Sequence, residues 1–356
     1  MSGAVPYLSI VAVSRNDDHG GHLLERMQLF IDSAHEQFNR YHLPAELIIV
    51  EWNPPADKKP LSEVLSIPRN TDFFTTRIII VPEELHKTFR HSDRLPLFQM
   101  IGKNAGIRRA KGEFILATNI DILFSDELVA FLSKKRLDPA VLYRADRLDI
   151  FSPFTEWYRH YFSSSLTFLK EYCRTNIIRI NKKYGTFPSK KQTGFWKYWY
   201  YKARSFFDFY IYKQYFPNYR VDVPFFRYIH ANGCGDFTLL SKEKWDEFRG
   251  YPELEMFSWN IDSLLLIIAY HFGIREIDLQ PPRNIFHIEH DYGSGWTPGS
   301  GEKLLFERIE KQQIPVLSWA DCVQISRLLA KMGPKKEYIT FNDPDWGLST
   351  HTLPEA

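Results

Sequence analysis

The N-terminal third of the chain alternates between short apolar runs and longer segments of helical character, and this alternation constrains the fold most strongly. Four apolar, β-branched runs predict strands at 7–14, 45–53, 77–82 and 112–121. The segments between them predict helices at 22–41 and 97–110. Strands that alternate with helices are typical of a doubly wound sheet. We therefore predict an α/β fold, with a mixed, mostly parallel central sheet flanked by helices.

The composition excludes several classes of protein. The 356 residues carry a net charge of only +2. The protein therefore has no overall positive field that would attract a polyanion, and we expect no nucleic-acid partner. The three cysteines form neither a disulfide framework nor a CxxC metal site, which favours a reducing, cytoplasmic compartment. The N-terminus lacks the features of a signal peptide, and no run approaches about 18 apolar residues, so no spanning helix is expected.

Differences in composition divide the chain into four predicted regions. Residues 1–150 hold the strand–helix alternation, and residues 228–334 hold further strand, helix and turn signals. Residues 151–227 are aromatic and basic with poor periodicity, which predicts a largely helical insertion. Its aromatic residues form a small core, a membrane-interface surface or a sugar platform, and the sequence leaves these alternatives open. The polar tail, 335–356, is expected to be a loosely held arm.

Polar clusters follow three of the predicted strands. They are "SRNDD" at 14–18, "EWN" at 51–53 and "TNID" at 118–121. A single cluster of this kind is more often a turn than a site. Ligands of parallel sheets bind at the carboxyl ends of the strands, so three clusters on consecutive strands favour a binding site.

Asp121 and the stretch "FHIEH" carry candidate metal ligands. A carboxylate at a strand end suits Mg²⁺ or Mn²⁺, especially where a diphosphate supplies more oxygens. His287 and His290 add imidazoles, which favour manganese over magnesium. In an extended chain His287 and Glu289 would share one face and His290 the other, although a turn would change this. A surface or hydrogen-bonding role for the histidines is the alternative.

Three polar residues lie in the helix that precedes the strand of Asp121. Lys103, Asn104 and Arg108 place cations and an amide where nucleotide phosphate and ribose would bind. No G-x-x-x-x-G-K-[ST] pattern and no G-x-G-x-x-G pattern after a strand is present. A P-loop or a dinucleotide-binding site is therefore not supported.

These stretches resemble a known fold family. "KNAGIRRAKGEFILATNID" is similar to the pattern of GT-A-fold glycosyltransferases, especially family 2-like enzymes, and "VEWNPP" resembles exostosin-type members. "NGCGDFTLLSKEKWDEFRGYPE" resembles their acceptor-side element. The resemblance covers most of the chain outside 151–227 and the tail. It departs from the family pattern at Asn119, where the D-x-D motif has its first acid.

The resemblance implies a role for each candidate residue. The metal ligands would be Asp121 and a histidine of "HIEH", His287 or His290, with Mn²⁺ or Mg²⁺ as the cofactor. The nucleotide-sugar donor would contact the three strand ends and the helix, through Ser14, Arg15, Asn16, Asp17, Glu51, Asn53, Lys103, Asn104, Arg108, Asn119 and Ile120.

Two aspartates are candidates for catalysis. Asp262, in "MFSWNIDSLLL", lies where such enzymes carry a catalytic acid before a helix, and a carboxylate there would deprotonate an acceptor hydroxyl. Its alternative role is to cap the helix predicted at 260–273. Asp236 competes for the role of base, or binds sugar hydroxyls. The glycine-rich stretch 291–301 suits a loop that closes over a diphosphate, or is a plain surface loop.

The sequence thus predicts a metal-assisted glycosyltransferase that moves a hexosyl or N-acetylhexosaminyl group from a nucleotide-diphosphate sugar, in particular a UDP-sugar. Inversion is favoured because an acid stands at the position of an inverting base. The acceptor would be a glycan or a lipid-linked molecule, as in polysaccharide biosynthesis, with peripheral membrane contact through 151–227. The alternative is a non-catalytic carbohydrate or nucleotide-sugar-binding protein on a degenerate GT-A fold, because Asn119 replaces an acid. A nucleotidyltransferase would require a G-x-G-[ST]-R loop, which the first strand end lacks.

Overall fold

The structure is a computed structural model that describes residues 5–68, 71–152, 166–207, 210, 229–290, 303–332 and 340–356. Within these residues the strands are β1 Leu8–Ser14, β2 Ala45–Trp52, β3 Phe74–Val81, β4 Phe114–Ala117, β5 Ile122–Phe124, β6 Val141–Ala145, β7 Arg147–Ile150, β8 Ile177–Lys182, β9 Gly185–Pro188, β10 Thr238–Ser241, β11 Arg275–Leu279 and β12 Ile285–Ile288.

The helices of the same residues flank these strands. They are α1 Leu23–Arg40, α2 Leu61–Val64, α3 Glu83–His86, α4 Gln99–Arg109, α5 Asp126–Leu132, α6 Leu166–Thr175, α7 Lys190–Phe207, α8 Lys242–Phe248, α9 Ile261–His271, α10 Lys303–Lys311 and α11 Trp319–Lys331. A short 3₁₀ helix spans Cys234–Asp236. No helix of the described ranges is both long enough and apolar enough to cross a membrane.

The central sheet has seven strands in the order β11-β6-β10-β4-β1-β2-β3. Strands β1, β2, β3 and β4 pair in parallel, β11 pairs in parallel with β6, and β10 lies antiparallel between β4 and β6. The predicted mixed, mostly parallel α/β sheet is therefore confirmed. The fourth strand is shorter than predicted and ends at Ala117, so residues 118–121 are free to form the turn that carries Asp121.

Helix α4 packs close to the sheet because two of its residues lack a side chain. A Cβ atom at Gly102 would lie 2.6 Å from Val13 Cγ2, and one at Gly106 would lie 2.5 Å from Val11 Cγ1. Both distances are shorter than a carbon–carbon contact allows, so larger residues would push the helix away from β1. The glycines of "IGKNAG" thus hold α4, and with it Lys103, next to the carboxyl ends of the strands.

A second sheet, which the sequence did not predict, has the order β5-β12-β7-β8-β9. Strand β12 pairs antiparallel with β5 and parallel with β7, so His287 lies in register with both Ile122 and Asp149. The hairpin of β8 and β9 belongs to the region 151–227, which was predicted as largely helical. The described part of that region holds two helices and this hairpin, which continues a sheet built from both neighbouring regions.

The C-terminal residues 340–356 are attached to the body of the protein, which corrects the expectation of a loosely held arm. Trp346, Leu348 and Leu353 are buried in the core that includes α4 and the central sheet. Ile80 donates its N–H to the carbonyl oxygen of Pro354 at 2.9 Å, so the end of the chain covers the edge strand β3. Apolar side chains within the polar tail account for this attachment.

Candidate functional site

Three predicted metal ligands meet at one edge of the two sheets. Asp121 Oδ2 lies 3.2 Å from His290 Nε2 and 3.7 Å from His287 Nε2, and one donor atom from each residue lies within 4.8 Å of the others. The pairing of β5 with β12 produces this arrangement, because Ile288 donates its N–H to the Asp121 carbonyl oxygen at 3.1 Å. Strand β12 ends at Ile288, so the chain is free to turn and His290 joins His287 beside Asp121.

An arginine that the sequence did not single out completes this cluster. Arg26 of α1 is almost fully buried and donates from Nη1 to Asp121 Oδ2 at 2.8 Å. It also donates to the carbonyl oxygens of His19 and Gly21. Arg26 is thus fixed by the loop after β1 and contributes a full positive charge next to the only predicted carboxylate ligand.

The electrostatics of the cluster favour a charged Asp121. Burial raises the pKa of Asp121, but His287, His290 and Arg26 outweigh burial and hold the pKa well below its usual range. Burial lowers the pKa of His287, while Asp121 and Asp149 raise it, and the net effect is a raised pKa. A cation that binds Asp121 must therefore compete with Arg26 and, at low pH, with a proton on His287.

The donor set of the cluster fits a divalent transition metal. It comprises one carboxylate oxygen and two imidazole nitrogens, and the Nε2 atoms of both rings face Asp121 Oδ2. Magnesium prefers oxygen ligands alone, whereas manganese accepts both carboxylate and imidazole. Asp121, His287 and His290 would together hold such an ion, with further positions left for oxygens of a substrate.

A second group of possible ligands shares His287 with the first. Asp149, His287 and Glu289 also lie within ligand distance of one another. Arg179 bonds to both carboxylates, at 2.5 Å from Asp149 and 2.8 Å from Glu289, and Arg147 lies 2.9 Å from Asp149. These ion pairs hold the pKa of Asp149 well below its usual range against the effect of burial. Because two arginines already neutralise this group, it fits a cation less well than the Asp121 group.

A chain of polar contacts leads from Asn119 to Arg147. Asn119 accepts from Gln99 Nε2 at 3.0 Å and donates from Nδ2 to Asp236 Oδ1 at 2.6 Å. Asp236 Oδ2 in turn accepts from Arg147 Nη1 at 2.5 Å. Asn119 therefore bonds to Asp236 rather than to the Asp121 cluster, and both oxygens of the Asp236 carboxylate have partners.

Lys103 lies buried under the predicted carboxylates. Its ammonium donates to the carbonyl oxygen of Gly235 at 2.7 Å, and the side chain is inaccessible to solvent. Burial lowers the pKa of Lys103 to about 8, against the opposing influence of Asp236, Asp262 and Asp121. The sequence predicted that this lysine contacts the donor, but the structure places it beneath the site, where it supports the 3₁₀ helix Cys234–Asp236.

Asp262 lies next to this 3₁₀ helix. A Cβ atom at Gly235 would lie 2.9 Å from Asp262 Oδ2, so the glycine allows the carboxylate to approach the backbone. The predicted capping role is not observed: Asn260 is the N-cap of α9, and Asp262 Oδ1 accepts from the adjacent Ser263 N–H at 2.8 Å. Asp262 is half-buried, and within the described residues its carboxylate interacts with the Cys234 thiol but forms no ion pair with an Arg or Lys, whereas Asp236 is paired with Arg147.

The loops after β1 and β2 face each other. Arg15 donates to the carbonyl oxygen of Asn53 at 2.7 Å and lies 3.4 Å from Asp17, and Asn16 donates to the carbonyl oxygen of Lys59 at 2.8 Å. Ser14 is buried against Met27. These contacts hold the first two predicted clusters together at the carboxyl edge of the sheet.

The acidic residue at the end of β2 has a local role. Glu51 is fully buried, and both oxygens accept from the Leu61 N–H at the start of α2, at 3.1 and 3.0 Å. Burial raises the pKa of Glu51. Asn53 has a positive φ of 47° and donates to the carbonyl oxygen of Pro96 at 3.2 Å. Both residues shape the loop, and Glu51 has no face toward solvent.

Three further residues that the sequence predicted to contact the nucleotide-sugar donor lie away from the Asp121 cluster. Asn104 is fully buried, with its amide bonded to Tyr251 and Glu253. Arg108 lies over the ring of Trp346 at 5.0 Å and 3.9 Å from Asp246. Ile120 packs in the hydrophobic core on the α1 side of the sheet. These side chains anchor the fold around the site and do not join the Asp121 cluster. The glycine-rich stretch 291–301 lies outside the described residues.

Sequence reasoning missed Arg26, Arg147 and Gln99. Arg26 lies within the amphipathic α1, where an arginine is expected to face solvent. The available signal was helical spacing, because Leu23, Met27 and Phe30 lie three residues before, one after and four after Arg26. These apolar residues are buried, and Arg26 lies on the same face of α1. Arg147 is the first residue of the short strand β7 and directly follows Asp146, and no sequence pattern marks it.

No family model and no curated protein matches the sequence. Among solved structures the chain is similar to a crystal structure of GalNAc-T7 with UDP, GalNAc and Mn²⁺, at 14% sequence identity and a TM-score of 0.46. The match covers 94% of this chain and 55% of that chain, so this chain spans about half the length of the protein it resembles.

Proposed function

We propose that the protein is a metal-assisted glycosyltransferase that takes a nucleotide-diphosphate sugar, a UDP-sugar in our proposal, and transfers the sugar to a hydroxyl acceptor. The observation that carries the proposal is the convergence of Asp121, His287 and His290 at the edge where parallel strands end. Ligands of open α/β sheets bind at that edge. A carboxylate and imidazoles there suit a divalent cation that takes its remaining ligands from a diphosphate.

The surrounding residues support the same substrate class. Arg15 and Asp17, both partly exposed, lie after β1 and provide a cation and a carboxylate for a nucleoside. Arg26 donates to Asp121 and so adds a fixed positive charge beside the proposed cation site. This charge would help to attract a diphosphate group bound to that cation. The negative charge of the donor is thus matched by fixed positive groups.

The reaction would proceed with inversion at the anomeric carbon. The acceptor oxygen forms a bond to the anomeric carbon, the bond from that carbon to the diphosphate oxygen breaks, and the acceptor proton passes to a carboxylate. A bound divalent cation would supply electrostatic stabilisation of the diphosphate leaving group. Asp262 is our candidate for the carboxylate, because both oxygens of Asp236 already accept from Asn119 and Arg147.

The first experiment is a thermal-shift and calorimetry screen of nucleotide sugars, with Mn²⁺ present and absent. We expect UDP-sugars to stabilise the protein only with the metal, because the cation joins the diphosphate to Asp121. Equal binding without metal would contradict the proposed role of the cluster. Binding without transfer to any hydroxyl acceptor would favour the alternative, a non-catalytic nucleotide-sugar-binding protein.

A second experiment tests the base. Asp262→Asn should leave donor affinity nearly unchanged and lower the transfer rate by roughly 100-fold or more, the usual contribution of general-base catalysis. The matched control is Asp246→Asn, which removes an aspartate from α8 and should leave the rate unchanged. Full activity of Asp262→Asn would refute the assignment of Asp262 as the base. If only Asp236→Asn loses activity, Asp236 is the base instead.

A further inference from the structure

The aromatic helix α7 has its apolar side chains on the outside of the protein. None of the described side chains of Lys190–Phe207 is buried. The exposed fractions are 83% for Trp196, 58% for Tyr200 and 49% for Phe207. Surface helices normally turn apolar residues toward the core and polar residues toward water. In this helix large apolar side chains are exposed together with the charged ones, so its outer face is suited to a further apolar medium.

The arrangement of the side chains follows from helical periodicity. A break at Gly194, with φ 74°, separates the first turn from the helix formed by residues 195–207. Trp196, Tyr200 and Phe207 are spaced by four and seven residues and form one row. The opposite row faces the body: the ring of Tyr198 lies 5.9 Å from that of Phe187 in β9, and Ser205 lies against Gly185.

The charges of α7 all have one sign. Lys190, Lys191, Lys197, Lys202 and Arg204 occur within the helix, and it contains no Asp or Glu. Lys197 and Arg204 are exposed beside the aromatic row. Over 151–227 the sequence has 14 Lys and Arg against 4 Asp and Glu, whereas the whole chain has a net charge of only +2. The excess of positive charge is therefore concentrated in this region of the sequence, to which α7 belongs.

We propose that the outer face of α7 docks in the interface of an anionic lipid bilayer. Trp and Tyr rings prefer the headgroup level of a membrane, where an apolar body and a polar tip both find partners. Lys and Arg beside them attract anionic headgroups. An aromatic row beside Lys197, on a helix whose own charged residues are all basic, matches an anionic surface rather than the mixed charges of a typical protein surface. This inference does not depend on the proposed activity.

Vesicle flotation of the full chain tests the proposal. We expect the protein to float with phosphatidylcholine vesicles that contain phosphatidylglycerol, and to float less as salt is added, because salt screens the attraction. The variant Trp196→Ser/Tyr200→Ser/Phe207→Ser should lower the partition coefficient on the order of tenfold, because it removes the apolar contact. Lys197→Glu/Arg204→Glu should lower it roughly tenfold or more on anionic vesicles and leave neutral vesicles unaffected.

Matched variants control for general loss of apolar surface or charge. Leu328→Ser/Met332→Ser changes two exposed apolar residues at the end of α11, 55% and 42% exposed. Lys134→Glu/Arg136→Glu reverses two exposed charges after α5. Both should float like the unchanged chain. Thermal unfolding of every variant confirms that the fold is retained.

Three results would overturn the proposal. The first is absence of the full chain from floated anionic vesicles, and the second is an equal effect of the α7 variants and their controls. The third is a dimer in sedimentation velocity that the aromatic variant dissociates while vesicle binding is unchanged, which would make a second copy the occupant. Because the vesicles contain neither donor nor acceptor, a failure here leaves the proposed transfer reaction untouched.

Discussion

Two carboxylate–histidine clusters of this protein look alike in composition but differ in geometry. The edge cluster comprises Asp121, His287 and His290, and the β11 cluster comprises Glu276, Asp278 and His230. In the edge cluster two imidazole nitrogens face a single carboxylate oxygen. In the β11 cluster only one ring nitrogen of His230 contacts a carboxylate: Nδ1 pairs with Asp278 at 3.0 Å. The bond from His230 to Glu276, at 2.6 Å, comes from the backbone N–H.

The surroundings of the two clusters also differ. Lys183 lies 3.5 Å from Glu276 and 3.3 Å from Asp278, so a lysine already bridges the two carboxylates. Burial, with the nearby Asp278, raises the pKa of Glu276 to about 7, whereas the pKa of Asp121 is held low. Proximity of acids and histidines is therefore insufficient for a cation site. In the edge cluster, two imidazole nitrogens converge on a carboxylate that stays ionised, and we expect a cation site to need that geometry.

The largest effect is expected for Asp121→Asn, which removes the anion of the edge cluster. We expect Mn²⁺ binding to be lost and the free energy of unfolding to fall by about 3–5 kcal/mol, because Arg26 is left buried without a counter-charge. Calorimetry with Mn²⁺ and urea unfolding measure the two effects. Unchanged Mn²⁺ affinity in this variant would contradict the proposal that the edge cluster, and not the β11 cluster, binds the metal.

The histidines allow a direct comparison of the clusters. His287→Ala and His290→Ala should each lower Mn²⁺ affinity by roughly 100-fold or more, since even outer-shell partners of metal ligands contribute about 10–100-fold. His230→Ala, in the β11 cluster, is the control and should leave the affinity unchanged. If all three variants bind Mn²⁺ equally, neither cluster is the metal site.

Arg26 sharpens the comparison because it competes with a cation for Asp121. Arg26→Gln should raise Mn²⁺ affinity by roughly tenfold or more, since a positive charge is removed from the vicinity of the ion. Arg26→Lys keeps the charge and should remain close to the unchanged protein. A weaker affinity of Arg26→Gln in calorimetry would mean that Arg26 instead holds Asp121 in its binding orientation.

The β11 cluster should make the free energy of unfolding depend on pH. Because the pKa of Glu276 is raised from 4.5 to about 7, its contribution is fully present below pH 4.5 and is lost as pH rises to about 7. Glu276→Gln should therefore be stabilised relative to the unchanged protein by about 2 kcal/mol at pH 8 and much less at pH 4. Urea unfolding at both values measures this.

Asp278→Asn is the opposite control for the same experiment. Burial raises the pKa of Asp278, but His230 and Lys183 outweigh burial and lower it, so the contribution of Asp278 is present above pH 3.8 and lost on acidification. The variant should be destabilised at neutral pH and much less so in acid. The same pH trend in both variants would contradict the assigned directions.

The smallest effect is expected outside both clusters. Arg108→Ala removes a cation over Trp346 and a distant ion pair with Asp246, so the free energy of unfolding should fall by about 1 kcal/mol or less. Nucleotide-sugar affinity should stay unchanged, because Arg108 is not part of the edge cluster. A large loss of donor affinity would restore the donor-binding role that the sequence predicted.

The sequence predicted local structure and chemical type better than side-chain position. The first four strands, α1 and α4 lie within a few residues of their predicted bounds, because apolar periodicity is a local property. Asn104 and Lys103 carried the right chemistry for a nucleotide, yet both are buried by packing of α4 on the sheet. The second sheet escaped prediction because its strands are short and pair across distant parts of the chain.

The sequence by itself determined the α/β class, the polar strand ends and the identity of Asp121, His287 and His290 as a candidate ligand set. Only the tertiary structure decided that these three meet, that Arg26 joins them and that the aromatic face of α7 points outward. The physical reason is the range of the interactions involved. Helix and strand formation depends on neighbours a few residues away, whereas the pairing of β5 with β12 depends on the packing of the whole chain.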